Sequence, residues 1–199
     1  MKKALALIAV AGLAGVAVAQ PVATVVTTAN GGAAASVAPG ATISINAVVS
    51  WTPAGTQFAG IQGGTIVQGN AGSGSNFASD FAAGALVNLG AFSGGSRTGM
   101  DIAVTPAFFT GGFMAPPSAN SSGISLARYD LVINNPGVYT INWVAPGSAP
   151  NVRIYTSTAS PAFTEAQTTY RGATITVTPA PASLALVGLG GLVAGRRRR

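Results

Sequence analysis

The feature that most constrains the fold of this chain is the alternation of apolar and polar residues from Ala41 to Trp51. One phase of the alternation is apolar: Ile43, Ile45, Ala47, Val49 and Trp51. The other phase is mostly polar: Thr42, Ser44, Asn46 and Ser50. Successive side chains of a β-strand point to opposite faces of its sheet, so this segment predicts a strand with one buried and one exposed face. Ala173–Thr178 repeats the pattern near the other end of the chain.

The segments between these two are typical of further short strands separated by turns. The candidate strands are Val22–Thr28, Gly60–Gln68, Ala85–Leu89, Ile102–Thr105, Arg128–Asn134, Val138–Val144 and Val152–Thr156. Turn-forming Pro, Gly and Asn residues punctuate them at Ala38–Gly40, Thr52–Gly55, Asn134–Gly137 and Ala145–Gly147. Many short strands with regular turn signals indicate two packed sheets. We therefore predict an all-β fold, an antiparallel β-sandwich.

Two short motifs bear on the type of sandwich. Asn135-Pro136-Gly137-Val138-Tyr139 resembles the turn before the tyrosine corner of immunoglobulin-like domains, where the Tyr hydroxyl bonds to nearby backbone. Val37-Ala38-Pro39-Gly40, leading into the strand at Ala41, resembles cohesin-like sandwiches. The resemblances imply an immunoglobulin-like or cohesin-like sandwich. We expect Tyr139, Ile141 and Trp143 to face the core and to meet the Trp51 face from the opposite sheet.

The first 19 residues have the layout of a secretion signal. Lys2 and Lys3 form a positive region, Ala4–Val16 is apolar, and Ala17-Val18-Ala19 is a small-x-small motif that signal peptidase accepts. This predicts an N-terminal signal helix over residues 1–19, cleaved before Gln20. The alternative is an uncleaved anchor helix, which the short, glycine-interrupted apolar run disfavours.

The last 21 residues have a matching layout at the other end. Pro179-Ala180-Pro181 interrupts regular structure, and Leu184–Gly195 is apolar throughout. Four arginines follow: Arg196, Arg197, Arg198 and Arg199. Each arginine opposes insertion into a membrane by about 2.5–3.5 kcal/mol, so the cluster should stay on the cytoplasmic side. The apolar residues would rise about 18 Å as a helix, against a hydrocarbon core of about 30 Å. This predicts a short transmembrane helix that anchors the protein only transiently.

The tail resembles the PEP-CTERM sorting signal of exported proteins in Gram-negative bacteria that possess an exosortase. The matching features are Pro179–Pro181, the Leu/Gly/Ala-rich segment and the terminal arginine cluster, with Ala180 in place of the glutamate of Pro-Glu-Pro. The resemblance implies that an exosortase recognises the tail in the inner membrane, cuts near the prolines and passes the body to the cell surface or the extracellular space. A simple tail anchor is the alternative.

The body, residues 20–178, is close to electrically neutral. Its charged residues are Arg97, Arg128, Arg153, Arg171, Asp80, Asp101, Asp130 and Glu165. Without a basic patch, there is no electrostatic basis for binding nucleic acid. The chain has no cysteine and no histidine, which excludes thiol catalysis, Ser-His nucleophiles and the commonest zinc sites. We predict no metal, no cofactor and no catalytic residue.

A few residues of the body invite a chemical interpretation. Two of the four carboxylates could form a glycosidase pair if the fold brought them together, but surface acids are the favoured interpretation. Asp130 and Arg128 share one face of a predicted strand, which predicts a surface charge pair. Gly69–Asn76 with Asp80 offers too few acidic ligands for calcium, and we interpret it as a flexible loop. The apolar run Phe108–Pro117 is interpreted as a buried loop plug, with an exposed patch as the alternative.

Together, the two targeting signals and the neutral body favour a structural or interaction protein of the cell surface or extracellular matrix, without catalysis. Its expected partners are signal peptidase, exosortase and, transiently, the inner membrane, followed by other surface proteins. The alternative is a carbohydrate-binding module that binds extracellular polysaccharide in biofilm assembly. A hydrolase that uses only Asp and Glu is a third, weaker hypothesis.

Overall fold

The computed structural model describes residues 20–54, 56–84, 86–104, 123–147, 151–156 and 162–179. The predicted signal helix and the predicted transmembrane helix lie outside these residues, as does the Phe108–Pro117 run. The strands are β1 (Val22–Ala29), β2 (Ala34–Val37), β3 (Thr42–Thr52), β4 (Gln57–Val67), β5 (Ser73–Ala78), β6 (Val87–Ser93), β7 (Ser96–Ala103), β8 (Ile124–Val132), β9 (Gly137–Val144), β10 (Arg153–Tyr155), β11 (Phe163–Glu165), β12 (Gln167–Arg171) and β13 (Ala173–Val177). A 3₁₀ turn occupies Gln68–Asn70. Within the described part of the chain, no helix has the length and apolarity needed to cross a bilayer.

The strands form two sheets, and the predicted β-sandwich is confirmed. Sheet A has five strands in the order β12-β1-β3-β8-β5. Sheet B has eight strands, with the path β11-β10-β4-β9-β13-β2 and with β7 and β6 added beside β4. Most neighbours are antiparallel, as predicted, but β1 pairs with β12 and β2 pairs with β13 in parallel. Both sheets are therefore mixed.

Two segments of the body, β1–β2 at its start and β12–β13 at its end, run side by side and pass together from sheet A to sheet B. On the first chain segment, the Asn30-Gly31 turn makes the step, with φ of 50° and 79°, as expected for an Asn-Gly turn. On the last segment, Gly172 makes the step, where a Cβ atom would lie 2.4 Å from the Ile141 carbonyl oxygen. The crossing pair closes one side of the sandwich with backbone hydrogen bonds.

The interior separates into two apolar clusters. One contains the aromatic residues Trp51, Phe58, Phe81 and Trp143, and the other is mainly aliphatic, with Ile43, Ile45, Leu131, Ile141 and Ile175 among its members. Trp51 and Trp143 come from opposite sheets and are 3% and 1% exposed. The prediction that Trp143 faces the core together with Trp51 is confirmed, whereas Ile141 is buried in the aliphatic cluster. The Tyr139 hydroxyl donates to the Asn135 carbonyl at 3.0 Å, the bond of a tyrosine corner, although Tyr139 itself is only partly buried.

Strand register gives the sandwich two different ends. One end, here called the tight-turn pole, carries the connections 38–41, 68–72, 94–95 and 133–136. The opposite end, the long-loop pole, is where β3, β7 and β10 end and where β4, β6 and β8 begin. It is named for the longer stretches of sequence between these strands. The aliphatic cluster lies under the tight-turn pole and the aromatic cluster under the long-loop pole.

The interpretation of Gly69–Asn76 as a flexible loop is wrong for its second half, because Ser73–Ala78 is strand β5. This strand pairs with β8 through Ser73, Gly74 and Ser75. Gly74 is needed there because a Cβ atom would lie 2.2 Å from the Phe92 ring of the opposite sheet. The glycines that suggested flexibility instead allow the two sheets to approach closely at this side.

Candidate interaction surface

The outer face of sheet A is lined by hydroxyl, amide and valine side chains. On β1 and β3 the outward residues form the cross-strand pairs Val22–Thr52, Thr24–Ser50, Val26–Val48 and Thr28–Asn46. The inward residues of the same strands are buried, so the alternation that builds the core also builds this face. None of these eight outward residues is charged. We call this set the hydroxyl face.

Charged residues border the hydroxyl face on both sides. On β12, Arg171 lies opposite Val26. On β8, Arg128 and Asp130 lie opposite Asn46 and Ser44. The surface is therefore a neutral centre with charged margins, which is the distribution that protein interfaces show between their core and their rim.

A shallow depression lies at the long-loop end of this face. It is lined by Val22, Thr24, Ser50, Trp51 and Thr52. Val22 keeps 44% of its surface exposed although it is a large aliphatic residue. The Trp51 ring itself points into the core, where its indole N–H donates to the Thr56 carbonyl at 3.3 Å. A small apolar group of a partner, with hydroxyl groups beside it, would match these lining residues.

The outer face of sheet B carries a second polar group around Arg153. Its side chain crosses β4 at Gly60, where a Cβ atom would lie 2.8 Å from Nη2. Arg153 Nη2 is 3.7 Å from Asp101 Oδ1, and Gln62 Nε2 donates to Asp101 Oδ2 at 3.0 Å. The guanidinium also lies over Phe163, with 5.6 Å between Cζ and the ring centroid. Nε and Nη2 have no hydrogen-bond partner among the described residues. With Glu165 directly opposite Arg153 on β11, this group combines one cation with two acids.

The three aspartates have separate partners. Asp80 pairs with Arg128 at 3.0 Å and accepts the Ser125 amide N–H at 2.8 Å. Asp130 accepts from Asn76 at 2.7 Å, whereas Asp101 has Gln62 and Arg153 as neighbours. Among the described residues, no group of three acidic side chains could hold a metal ion. The geometry thus gives Asp80, Asp101 and Asp130 local structural roles.

The predicted Arg128–Asp130 charge pair is wrong. The two residues do share a strand face, but a bulge between Ser75 and Ala78 of β5 carries the following residues toward β8. Asp80 then reaches Arg128, and Asn76 reaches Asp130. Asn76 on the adjacent strand and Asp80 just beyond its end take both partners, in place of the second residue along the same strand.

The largest pKa shift belongs to a buried tyrosine between the sheets. The Tyr129 hydroxyl accepts from Thr65 Oγ1 and donates to the Gly95 carbonyl, each at 3.1 Å. Burial raises its pKa to about 12. Arg97 lies nearby, with its guanidinium 3.9 Å from the Phe77 centroid and 4.7 Å from that of Phe92, and burial lowers its pKa. A phenol that stays neutral and a stacked arginine favour a role in packing.

The predicted targeting residues fall at or beyond the limits of the described structure. Gln20 is exposed and immediately precedes the buried Pro21, whose carbonyl accepts the Gln167 amide at 2.8 Å. Pro179 is exposed and follows Thr178, whose amide donates to the Val37 carbonyl at 2.9 Å. Ala17, Ala19, Ala180, Pro181 and the arginine cluster lie outside the described residues, so cleavage and sorting remain predictions.

Sequence reasoning did not single out the hydroxyl face. The sequence does contain part of the pattern, because the polar residues that alternate through Ala41–Trp51 form one row of this face. What the pattern could not show is which strands flank β3, and therefore that Thr24 meets Ser50 and Val22 meets Thr52.

No protein-family model matches the chain, and no curated protein matches it. Similar solved structures exist. A chain of the crystal structure of the CaDoc0917–CaCohA2 complex has 13% identity and a TM-score of 0.51, over 78% of this chain and 99% of that chain. The seventh ScaB type I cohesin from Pseudobacteroides cellulosolvens has 12% identity and a TM-score of 0.50, over 80% of this chain and 94% of that chain. These likenesses show the fold, a cohesin-like β-sandwich, as the Val37–Gly40 motif implied.

Proposed function

We propose that this protein is an exported, non-catalytic interaction module of the cell surface or extracellular matrix, sorted by exosortase through its C-terminal tail. The proposal joins two parts. The sequence of the two ends supports export and sorting, and the surface of the β-sandwich supports binding of another protein.

The observation that carries the binding part is the hydroxyl face with its depression. Burying a charged side chain at an interface is costly unless it is paired. This face offers eight outward residues without a charge, and its charged neighbours stand at the margins. Threonine and valine side chains are short and β-branched, so they lose little conformational entropy when a partner covers them. A protein surface of matching shape is the partner that fits best.

The structural neighbours agree with this choice. CaCohA2 is part of a complex with CaDoc0917, so a sandwich of related shape does take a protein partner. The fold alone does not assign a function, which is why the surface of this chain carries the proposal and the neighbours support it.

The carbohydrate-binding alternative finds less support. Carbohydrate platforms use exposed aromatic rings, whereas Trp51 and Trp143 are 3% and 1% exposed. Phe163, at 49%, is the large exposed aromatic side chain of the described residues, and the Arg153 guanidinium already lies over it. A single phenylalanine with an arginine over one face is a poorer platform for a sugar ring than an exposed tryptophan or tyrosine would be.

The binding part can be tested with the mature protein released from its native cells. It would be immobilised and exposed to solubilised surface and matrix proteins, and separately to a panel of polysaccharides. We expect a protein to be retained and Ser50→Arg to reduce that retention at least tenfold, because the arginine would fill the depression. The matched control is Ser44→Arg, on the same outer face of β3 but six positions away, which should retain the partner. Retention on a glycan alone would replace the proposal with the alternative.

The sorting part can be tested by changing the arginine cluster to glutamine and by mass spectrometry of the mature surface form. We expect the wild-type protein to lack residues 1–19 and the tail beyond the Pro179–Pro181 region. The glutamine variant should accumulate as a tail-bearing precursor. An intact Arg199 on the surface form, or unchanged maturation of the variant, would rule out exosortase processing.

A further inference from the structure

The two ends of the body leave the sandwich at opposite poles. At the long-loop pole, β1 begins at Val22, which pairs with Thr52 and Gln167. At the tight-turn pole, β13 ends at Val177, which pairs with Gly137 and Val37. Because the first and last strands run parallel through both sheets, the start and the end of the body are separated by the full length of the sandwich.

The connection between the sandwich and the apolar tail is short. The Thr178 amide still donates to the Val37 carbonyl at 2.9 Å, so the ladder holds the chain up to that residue. Pro179–Ser183 then precedes Leu184, the first residue of the apolar segment. Fully extended, this linker spans about 17 Å, and the lipid headgroup layer takes up about 6 Å of it. Thr178 is thereby held within about 11 Å of the headgroup surface while the tail is inserted.

The tight-turn pole is chemically suited to such proximity. Its four connections have the sequences Ala-Pro-Gly-Ala, Gln-Gly-Asn-Ala-Gly, Gly-Gly and Ile-Asn-Asn-Pro, without a charged residue in any of them. Small, uncharged side chains can approach lipid headgroups without the cost of stripping water from an ion. Val138, 64% exposed on β9 beside this pole, adds an apolar side chain on the same end.

We infer that the tight-turn pole rests against the lipid surface while the tail is inserted, and that the long-loop pole, with the depression of the hydroxyl face, points away from the membrane. This inference rests on the proposed function of the tail. It follows from the pole at which the chain exits, the length of the linker and the absence of charge on the turns that would meet the lipid. The binding surface is then displayed outward before the tail is cut.

The absence of cysteine allows a direct test with single-cysteine variants. Ala38→Cys and Ala54→Cys are a matched pair, since both alanines are exposed, lie in turns and adjoin a proline, but at opposite poles. Tail-bearing protein would be purified from cells that lack exosortase, labelled with a small fluorophore and reconstituted in phosphatidylcholine vesicles. Quenching by headgroup-spin-labelled lipid then reports the distance of each site from the bilayer.

We expect quenching at Ala38→Cys to exceed quenching at Ala54→Cys at least threefold. Suppose that the protein floats with the vesicles but the two sites are quenched equally, or Ala54→Cys is quenched more strongly. This result would overturn the inference and leave the proposed tail function standing. Protein that does not float with the vesicles would overturn both, because the tail would then not insert. A protein truncated before Leu184 provides the unquenched baseline.

Discussion

The two poles of this sandwich are closed by different means. At the tight-turn pole, glycines with left-handed backbone make the connections: φ is 77° at Gly40, 81° at Gly72 and 57° at Gly94. At the long-loop pole, large rings fill the end of the core. Trp51, Phe58 and Phe81 form a chain of contacts with centroid distances of 5.8 and 5.6 Å, and the Tyr155 hydroxyl donates to the Val104 carbonyl at 2.8 Å.

At the tight-turn pole the sequence is constrained by backbone conformation, whereas at the long-loop pole it is constrained by the buried side chains. A turn that needs left-handed backbone and close backbone contact tolerates few changes of sequence. A pole sealed by buried rings can change its loops as long as the rings remain, because connecting segments carry little of the packing. The pole that we infer to face the membrane is thus the one with the more constrained turn sequences, and the pole that we infer to face outward tolerates more change in its loops.

The largest expected effect is at the long-loop pole. Phe58→Ala should lower the free energy of unfolding by about 4 kcal/mol, because it leaves a cavity between Trp51 and Phe81. Phe163→Ala is the matched control, an exposed ring of the same pole, with an expected loss below about 0.5 kcal/mol. Urea unfolding followed by tryptophan fluorescence measures both. Equal losses would mean that the rings do not seal this pole.

The corresponding test at the tight-turn pole changes a single backbone position. Gly72→Ala should cost about 3 kcal/mol, since it forces an alanine into left-handed backbone and strain there is costly. The new Cβ would also lie 2.3 Å from the Val132 carbonyl oxygen. Gly84→Ala lies in a long-loop connection, where an added Cβ atom would have nothing within 4 Å, and it should cost less than about 0.5 kcal/mol. Thermal unfolding of the pair, measured by circular dichroism, would contradict the comparison if both variants matched the wild type.

Tyr129 ties β8 to the Gly94–Gly95 turn, so its removal probes the tight-turn pole from inside. Tyr129→Phe should cost about 1–2 kcal/mol at neutral pH, because Thr65 and the Gly95 carbonyl lose their buried partner. Folding raises the pKa of this phenol from its ordinary value to about 12. The stabilisation by the neutral phenol is therefore complete below about pH 10 and is lost as pH rises toward 12, by about 1.4 kcal/mol per pH unit.

The alkaline loss of stability should be smaller in Tyr129→Phe than in the wild type. It should not vanish, because burial also raises the pKa of Tyr155 and of Tyr170. Urea unfolding at about pH 9 and about pH 11, on either side of the ordinary phenol pKa, measures the difference between the two proteins. Identical pH dependence would show that Tyr129 ionises as freely in the folded state as in the unfolded state.

The smallest effect concerns the flank between the poles, where Arg97 lies between Phe77 and Phe92. Arg97→Lys should cost about 1 kcal/mol, because an ammonium group cannot stack on the rings as a planar guanidinium does. It would also lose the 2.9 Å bond from Nε to the Leu89 carbonyl. The control is Arg171→Lys on the exposed edge strand β12, expected to be neutral in chemical unfolding. A neutral Arg97→Lys would show that the stacked guanidinium does not stabilise this flank.

The strands whose bounds sequence reasoning matched most closely have one buried face. Ala41–Trp51 nearly coincides with β3 (Thr42–Thr52), and Val138–Val144 with β9 (Gly137–Val144), because half of each strand packs into the core. Edge strands gave no such signal: all three residues of β11 are exposed, so its pattern does not differ from that of a loop. The crossing of β12 into β13 at Gly172 depends on pairing with distant strands, which no local pattern encodes.

The candidate surface was only half predictable for the same reason. The polar phase of β3 gives one row of the hydroxyl face, but the partner of each residue depends on register. Arg128 is an example. Its predicted partner was Asp130, the second residue along the same strand, but it pairs with Asp80 from a turn after β5.

The measurement that tests the central claim most directly is photo-crosslinking on intact cells from one site at each pole. A cysteine-linked photoreactive group would be placed at Thr52→Cys, beside the depression, or at Asn135→Cys, in a tight turn. We predict a defined adduct with another protein from Thr52→Cys and no protein adduct from Asn135→Cys. A protein adduct from Asn135→Cys alone, or equal adducts from both sites, would contradict the claim that the hydroxyl face, and not the tight-turn pole, is the surface that binds another protein.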